Sequence, residues 1–242
     1  MRKSSEQATT IIRENIKKEN PLIIYFFSDI HFDSVYCDRK MFLRHMDSAL
    51  EENAAIFIGG DFFDAMQGKN DRRRRYNELY GEYTKEEYYD LIIEDAYENI
   101  KKYANNIKLI ALGNHEVSVL TYSNTNITKR LISMLEKHNS DVAYGEFRGW
   151  IKFLLNIYGN RASFNIYYAH SSGEGTAPAT RGTLAINRQA YAYPDANIIW
   201  NAHNHNAYIV PVSRERLSSK GNKYRDTMYF IRTPGYKNEW ND

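Results

Sequence analysis

The sequence has a single cysteine, Cys37, among its 242 residues. That excludes an intramolecular disulfide framework and fits a reducing compartment. Nothing beside Cys37 marks it as a nucleophile, so it reads as a small buried thiol. Charge of one sign is also lacking. Lys and Arg number 32 against 30 Asp and Glu, and a net charge of +2 gives no global basic excess to announce nucleic acid, although a local patch stays open. Long hydrophobic runs are absent as well. The most apolar early stretch, Leu22 to Phe27, is far too short to span a bilayer, and Met1 to Thr10 is polar, without an apolar signal core. These absences predict a cytoplasmic protein with no membrane partner. There is no internal repeat, low-complexity tract or linker, so a single domain over residues 1–242 is expected, a length sufficient for a real core. The 20 tyrosines stand out, but tyrosine serves cores, interfaces and ligand stacking alike.

Apolar periodicity gives the elements. Ile11, Ile12 and Ile16 at helical spacing predict a helical arm within residues 1–20, ended by Asn20-Pro21. Residues 22–28, 55–58 and 107–112 read as buried strands, and 39–52 and 127–138 as helices. Thr84 and Glu87 form a capping-box pattern ahead of a helix reaching about Ala104, inside a helical insertion over 65–105. Strand-like runs follow at 151–158, 164–169, 197–202, 207–212 and 227–232, with a helix over 183–192. The alternating first half argues for an α/β sheet, and the strand-rich second half for a second sheet packed on it.

Chemistry-bearing residues gather where these strands end. Asp29 and His31 follow the first strand, Asp61 the second, and Asn114, His115 and Glu116 the third. His170 follows the 164–169 strand, and His203 and His205 follow the 197–202 strand. Of the seven histidines, only His45 and His138 lie elsewhere, on predicted helices, a sorting that random surface histidines would not show. In open α/β sheets ligands bind beyond the carboxyl ends of strands, so distant segments can converge on one site. Phosphate esters hydrolyse very slowly in water, and a protein can help by setting two divalent ions about 3.5–4 Å apart. Two carboxylates, Asp29 and Asp61, against four positive charges leave a surplus for an anionic phosphate.

Asp29-x-His31, Gly60-Asp61-x-x-Asp64, Gly113-Asn114-His115-Glu116, His170 and His203-x-His205 resemble, in order, the motif blocks of the calcineurin-like metallophosphoesterase superfamily. The stretch from His170 to His205 looks most like phage-type members. The resemblance implies a four-layer αββα fold, a two-sheet β-sandwich flanked by helices. It implies two divalent ions (Mn, Fe, Zn, Ni or Co, with Mn favoured) and a phosphoester substrate attacked in line by a metal-bridging hydroxide. By the same resemblance, Asp29, His31 and His205 bind the first ion, Asp61 bridges, and Asn114, His170 and His203 bind the second. His115 touches the phosphate and protonates the leaving oxygen, Asp64 orients His115, and Glu116 holds a ligand or loop in place. Two positions depart from the pattern: Ala202 stands where a glycine often precedes His-x-His, and Ala65 where the protein-phosphatase branch has arginine.

The remaining features leave alternatives. Arg72 to Arg75 could neutralise phosphates or form a solvated loop. The glycine-rich loop Ser171 to Thr176, with Arg181 beyond it, could contact substrate oxygens or merely connect elements. Tyr122, Tyr167, Tyr168 and Tyr191 are candidates for stacking on a base, although Tyr167 and Tyr168 alternate within a predicted strand, which puts at least one in the core. A phosphodiesterase or nuclease acting on nucleotides or nucleic acid is the favoured reading. A phosphomonoesterase is the alternative, and a non-catalytic scaffold of the same fold a third. Oligomeric state is not legible.

Overall fold

The computed structural model describes residues 9–17, 21–65, 83, 86–138, 141–170 and 184–238, with backbone alone for 184–187. The chain folds as two compact units, one formed by residues 22–147 and 234–242, the other by residues 1–21 and 148–233. Each has its own sheet, flanked by helices, so the α/β class and the presence of two sheets are as expected.

The first unit carries a four-stranded parallel sheet in the order β2 (Ile24–Phe27), β3 (Ala55–Ile58), β4 (Ile107–Ala111), β5 (Ala143–Gly145). Helices α1 (Arg39–Glu51), α2 (Tyr88–Ile100), α3 (Asn114–Ser123) and α4 (Ile127–Leu135) form the connections. Strands covered on both faces are apolar throughout, as β3 is, with all four residues buried. The core gathers Phe27 and Ile56 with Phe42 and Met46 of α1, Ile92 and Ala96 of α2 and Leu131 of α4. At the start of α1 the Asp38 side chain accepts from the N–H of Met41. Thr84, half of the expected capping box, lies outside the described residues, and the other half, Glu87, makes no side-chain cap on α2. The helical segment α3 and the three-residue β5 escaped the sequence reading, because neither carries an apolar stripe of its own.

The second unit holds a six-stranded mixed sheet in the order β1 (Thr9–Ile16), β6 (Arg148–Ile157), β7 (Asn160–Ala169), β8 (Ile198–Asn201), β10 (Lys223–Arg232), β9 (Tyr208–Leu217). Tyr158 and Gly159, both at positive φ, turn β6 into β7, the conformation that two-residue hairpins need. Helix α5 (Leu184–Ala192) carries the chain from β7 to the parallel β8. Tyr167, Ile199, Met228 and Phe230 form the core of this unit. Across the β9–β10 hairpin, Arg214 grips both oxygens of Asp226 at 2.8 Å.

The expected helical arm is wrong. Residues 9–16 form β1, paired in parallel with β6 over eight positions. Ile12 and Ile16 are four apart, which puts them on one face of a helix and also on one face of a strand, so this spacing does not separate the two periods. The run of β-branched residues Thr9-Thr10-Ile11-Ile12 was the better signal. Exposure alternates along it, with Ile12 buried and Ile11 exposed. Among the described residues no helix is long and apolar enough to cross a membrane.

Cys37 lies against residues 234–238, bridged by backbone to Lys237, and is buried. Burial pushes its thiol up to about 12, against a smaller opposing pull from Arg39. We therefore expect Cys37 to react with a thiol-specific disulfide reagent only as fast as the protein unfolds, at any pH from 7 to about 9, where an open thiol titrates near 8.5. Reaction kinetics in native buffer and in denaturant check this.

Candidate metal centre

Three loops at the carboxyl ends of β2, β3 and β4 build the site in the first unit. The loop after β2 is zipped to the loop after β3 by backbone bonds: the N–H groups of Asp29, Ile30, His31 and Phe32 donate to the carbonyls of Gly60, Asp61 and Phe62 at 2.8 to 3.1 Å. Asp29, His31 and Asp61 all sit in the left-handed region, with φ of 53°, 51° and 49°. Non-glycine residues seldom adopt it, and such geometry clusters at functional sites.

Two buried carboxylates hold the loop after β3. Glu116 accepts from the N–H groups of Asp61 at 3.1 Å, Phe63 at 2.9 Å and Gly113 at 2.8 Å. The Gly113 bond is half of a capping box on α3, and glycine has no side chain to supply the other half. Asp33 accepts from the N–H groups of Asp64 at 2.6 Å and Ala65 at 2.9 Å, and from the Tyr88 hydroxyl. Burial pushes the Glu116 carboxyl up to about 7, helped by the Asp61 charge and opposed by the N–H groups of Phe63 and Gly113. Burial, then the Asp64 charge, likewise raises Asp33. Glycine is required at 113, since a Cβ there would overlap the Asp61 backbone N and carboxylate.

His115 stands on the first turn of α3. Its backbone N–H donates to Asp61 Oδ1 at 2.9 Å, and its Nε2 lies 3.8 Å from Asp61 Oδ2. Its Nδ1 meets the backbone carbonyl of Asp64 at 2.5 Å. A carbonyl only accepts, so Nδ1 carries the hydrogen and Nε2 is the atom that can exchange a proton. Asp64 therefore meets His115 through its main-chain carbonyl. The Asp64 carboxylate Oδ1 is instead 2.9 Å from His31 Nδ1 and 2.9 Å from Lys237 Nζ, and 4.0 Å from His115 Nδ1. Burial alone would raise Asp64, yet the hydrogen bond and charge of His31, with Lys237 and His115, hold it well below the usual carboxylate range.

In the second unit, β7 and β8 run in parallel with Ala169 abreast of Asn201, so the residues after them emerge side by side. The rings of His170 and His203 are 5.3 Å apart at their centroids. His203 and His205 take φ of 82° and 51°, the left-handed region again. Gln189 of α5 and Asn201 exchange amide hydrogen bonds at 3.0 and 2.9 Å, fixing the end of β8. Tyr167 and Tyr168 are both buried, and Tyr167 stacks on Tyr193, whereas Tyr122 and Tyr191 are exposed. Arg72 to Arg75, the loop from Ser171 to Thr176 and Arg181 lie outside the described residues.

The donors fit a divalent centre. In the first unit Asp29, His31 and Asp61 are almost wholly buried, and buried carboxylates gathered with imidazoles call for a cation. In the first unit alone, His31, Asp64 and His115 bring ligand atoms within 4.8 Å of one another. Mixed imidazole nitrogen and carboxylate oxygen suit several first-row divalent ions without choosing among them. Asp33 and Lys237 were missed in the sequence. Asp33 had a faint signal, the alternation Asp29-x-His31-x-Asp33, and Lys237 had none.

Glu116→Gln puts an amide N–H₂ where a carboxylate oxygen now meets backbone N–H groups. The expected loss is about 1–3 kcal/mol of stability, read by denaturant unfolding, because buried donors lose their acceptor.

Comparison with curated proteins gave no match. A family model described as calcineurin-like phosphoesterase matches residues 22–207, which takes in every strand-end loop described above. The chain thus belongs to the calcineurin-like phosphoesterase family and is a metal-dependent phosphoester hydrolase.

Proposed function

We propose that the two units act as one metallophosphoesterase domain, spanning 1–242, that hydrolyses phosphodiesters of nucleotides or nucleic acid. Asp29, His31 and His205 would hold one divalent ion, Asn114, His170 and His203 the other, and Asp61 both. Manganese is the ion we favour. When bound, the pair supplies Lewis acidity and lowers the pKa of coordinated water. The rest is done by the chain. Asp61 is kept in place by its backbone N–H on Glu116 and by the His115 N–H on its Oδ1. His115, with its Nδ1 committed to a carbonyl, offers Nε2 beside Asp61 as the proton donor to the leaving oxygen.

The observation that carries the hydrolytic role is this placement of His115 against Asp61. A diester is favoured over a protein phosphate by position 65. Ala65 is buried and its N–H is committed to Asp33, so the place of the protein-phosphatase arginine holds a small core residue. Exposed Tyr122 and Tyr191 are consistent with base stacking.

Two experiments test the reading. With manganese supplied, a chromogenic diester should turn over faster than the corresponding monoester; turnover of the monoester alone would replace the diesterase with a phosphomonoesterase. Asp61→Ala should abolish activity and lower metal content. His115→Ala should keep the metal, measured by elemental analysis, and lose about 10²–10⁴-fold in turnover. Metal loss in His115→Ala would contradict its assignment as proton donor.

A further inference from the structure

Resting on the metal-centre reading above, we infer that Lys237 is a positioning residue: its ammonium commits the Asp64 carboxylate to His31. No motif includes Lys237. It is delivered by the segment after β10, which returns to the first unit and is fixed there by backbone bonds. The N–H of Tyr236 donates to the Asp29 carbonyl, that of Asp38 to the Tyr236 carbonyl and that of Asn238 to the Tyr36 carbonyl, each at 2.9 Å. Tyr236 is further packed on Phe42 and hydrogen-bonded to His45 at 2.9 Å. Lysine is a flexible side chain, but here its backbone is held on both sides and the side chain is only 15% exposed.

The consequence is geometric. Lys237 Nζ and His31 Nδ1 meet the same oxygen, Asp64 Oδ1, each at 2.9 Å. His115 Nδ1, 4.0 Å from that oxygen, is committed to the Asp64 carbonyl and does not hold it. With Lys237 in place the carboxylate stays on His31 and fixes the tautomer in which Nδ1 carries the hydrogen and Nε2 is the donor toward a metal. Without Lys237 only His31 holds that oxygen, and the carboxylate loses the partner that keeps it turned toward His31. The same lysine also brings a positive charge close to the ligands, which by Coulomb repulsion alone would weaken cation binding. Positioning and repulsion therefore predict opposite signs when the charge is removed.

The test uses the full chain stripped of metal and titrated with manganese by equilibrium dialysis. In Lys237→Met one of the two sites should weaken by roughly 10-fold, as loss of a group behind a metal ligand typically does, while the other holds. Lys237→Arg, which reaches the same oxygen, should stay close to wild type. Imidazole nitrogen NMR of the metal-free proteins should show the Nδ1–H tautomer of His31 in wild type and Lys237→Arg, and tautomer averaging in Lys237→Met. Tighter binding in Lys237→Met, equal weakening at both sites, or failure of arginine to rescue would overturn the role. Wild-type protein that binds no manganese would instead overturn the metal centre itself. Wild-type binding that Lys237→Met leaves unchanged would overturn the role of Lys237 alone.

Discussion

Burying a carboxylate takes several hydrogen-bond donors, and for Glu116 and Asp33 most of those donors are main-chain N–H groups. Glu116 takes three, from Asp61, Phe63 and Gly113, and so joins the loops that follow β3 and β4. Asp33 takes two more, from Asp64 and Ala65, and joins the loop after β2 to the same segment. Between them the two acids hold nearly every N–H of residues 61–65. Charge-assisted bonds of this kind are roughly twice as strong as neutral ones. The loop they hold is the one that carries Asp61.

That restraint has work to do, because the ligand-bearing backbone is unfavourable in itself. Asp29, His31, Asp61, His203 and His205 all occupy the left-handed region. Each such residue costs of order 1–3 kcal/mol and persists only where its surroundings over-determine it. The apolar parallel strands beneath supply rigidity. Zipped carbonyl and N–H pairs between the first two loops supply the local hold. Within the first unit Asp29, His31 and Asp61 are thus held in place in advance, which is the condition for a preorganised centre.

Electrostatics divides the remaining acids by role. Asp33 and Glu116 face N–H groups and Asp64 faces His31 and Lys237, while Asp61 is contacted by the N–H of His115 and approached by its imidazole. Asp64 shows why residue type underdetermines role. Its carboxylate serves one histidine and its carbonyl another, and only the second was the histidine that the motif implied.

The sequence by itself determined the donor types, their order and their place at the ends of strands. That information is local: an apolar run followed at once by Asp-x-His, Gly-Asp or Gly-Asn-His needs no partner to be read, and β2 and β3 are apolar along their whole length, with Lys108 the one charged residue in β4. The tertiary structure decided what depends on contacts between distant residues. Whether Thr9–Ile16 is helix or strand rested on pairing with β6, because a spacing of four suits both periods. The partners of Glu116 lie more than fifty positions away apart from its cap, and Lys237 reaches Asp64 across 173 residues. Nothing in the composition around Lys237 marks that meeting; it arises because a returning segment forms a backbone bond with Asp29, and a lysine happens to follow the residue that makes it.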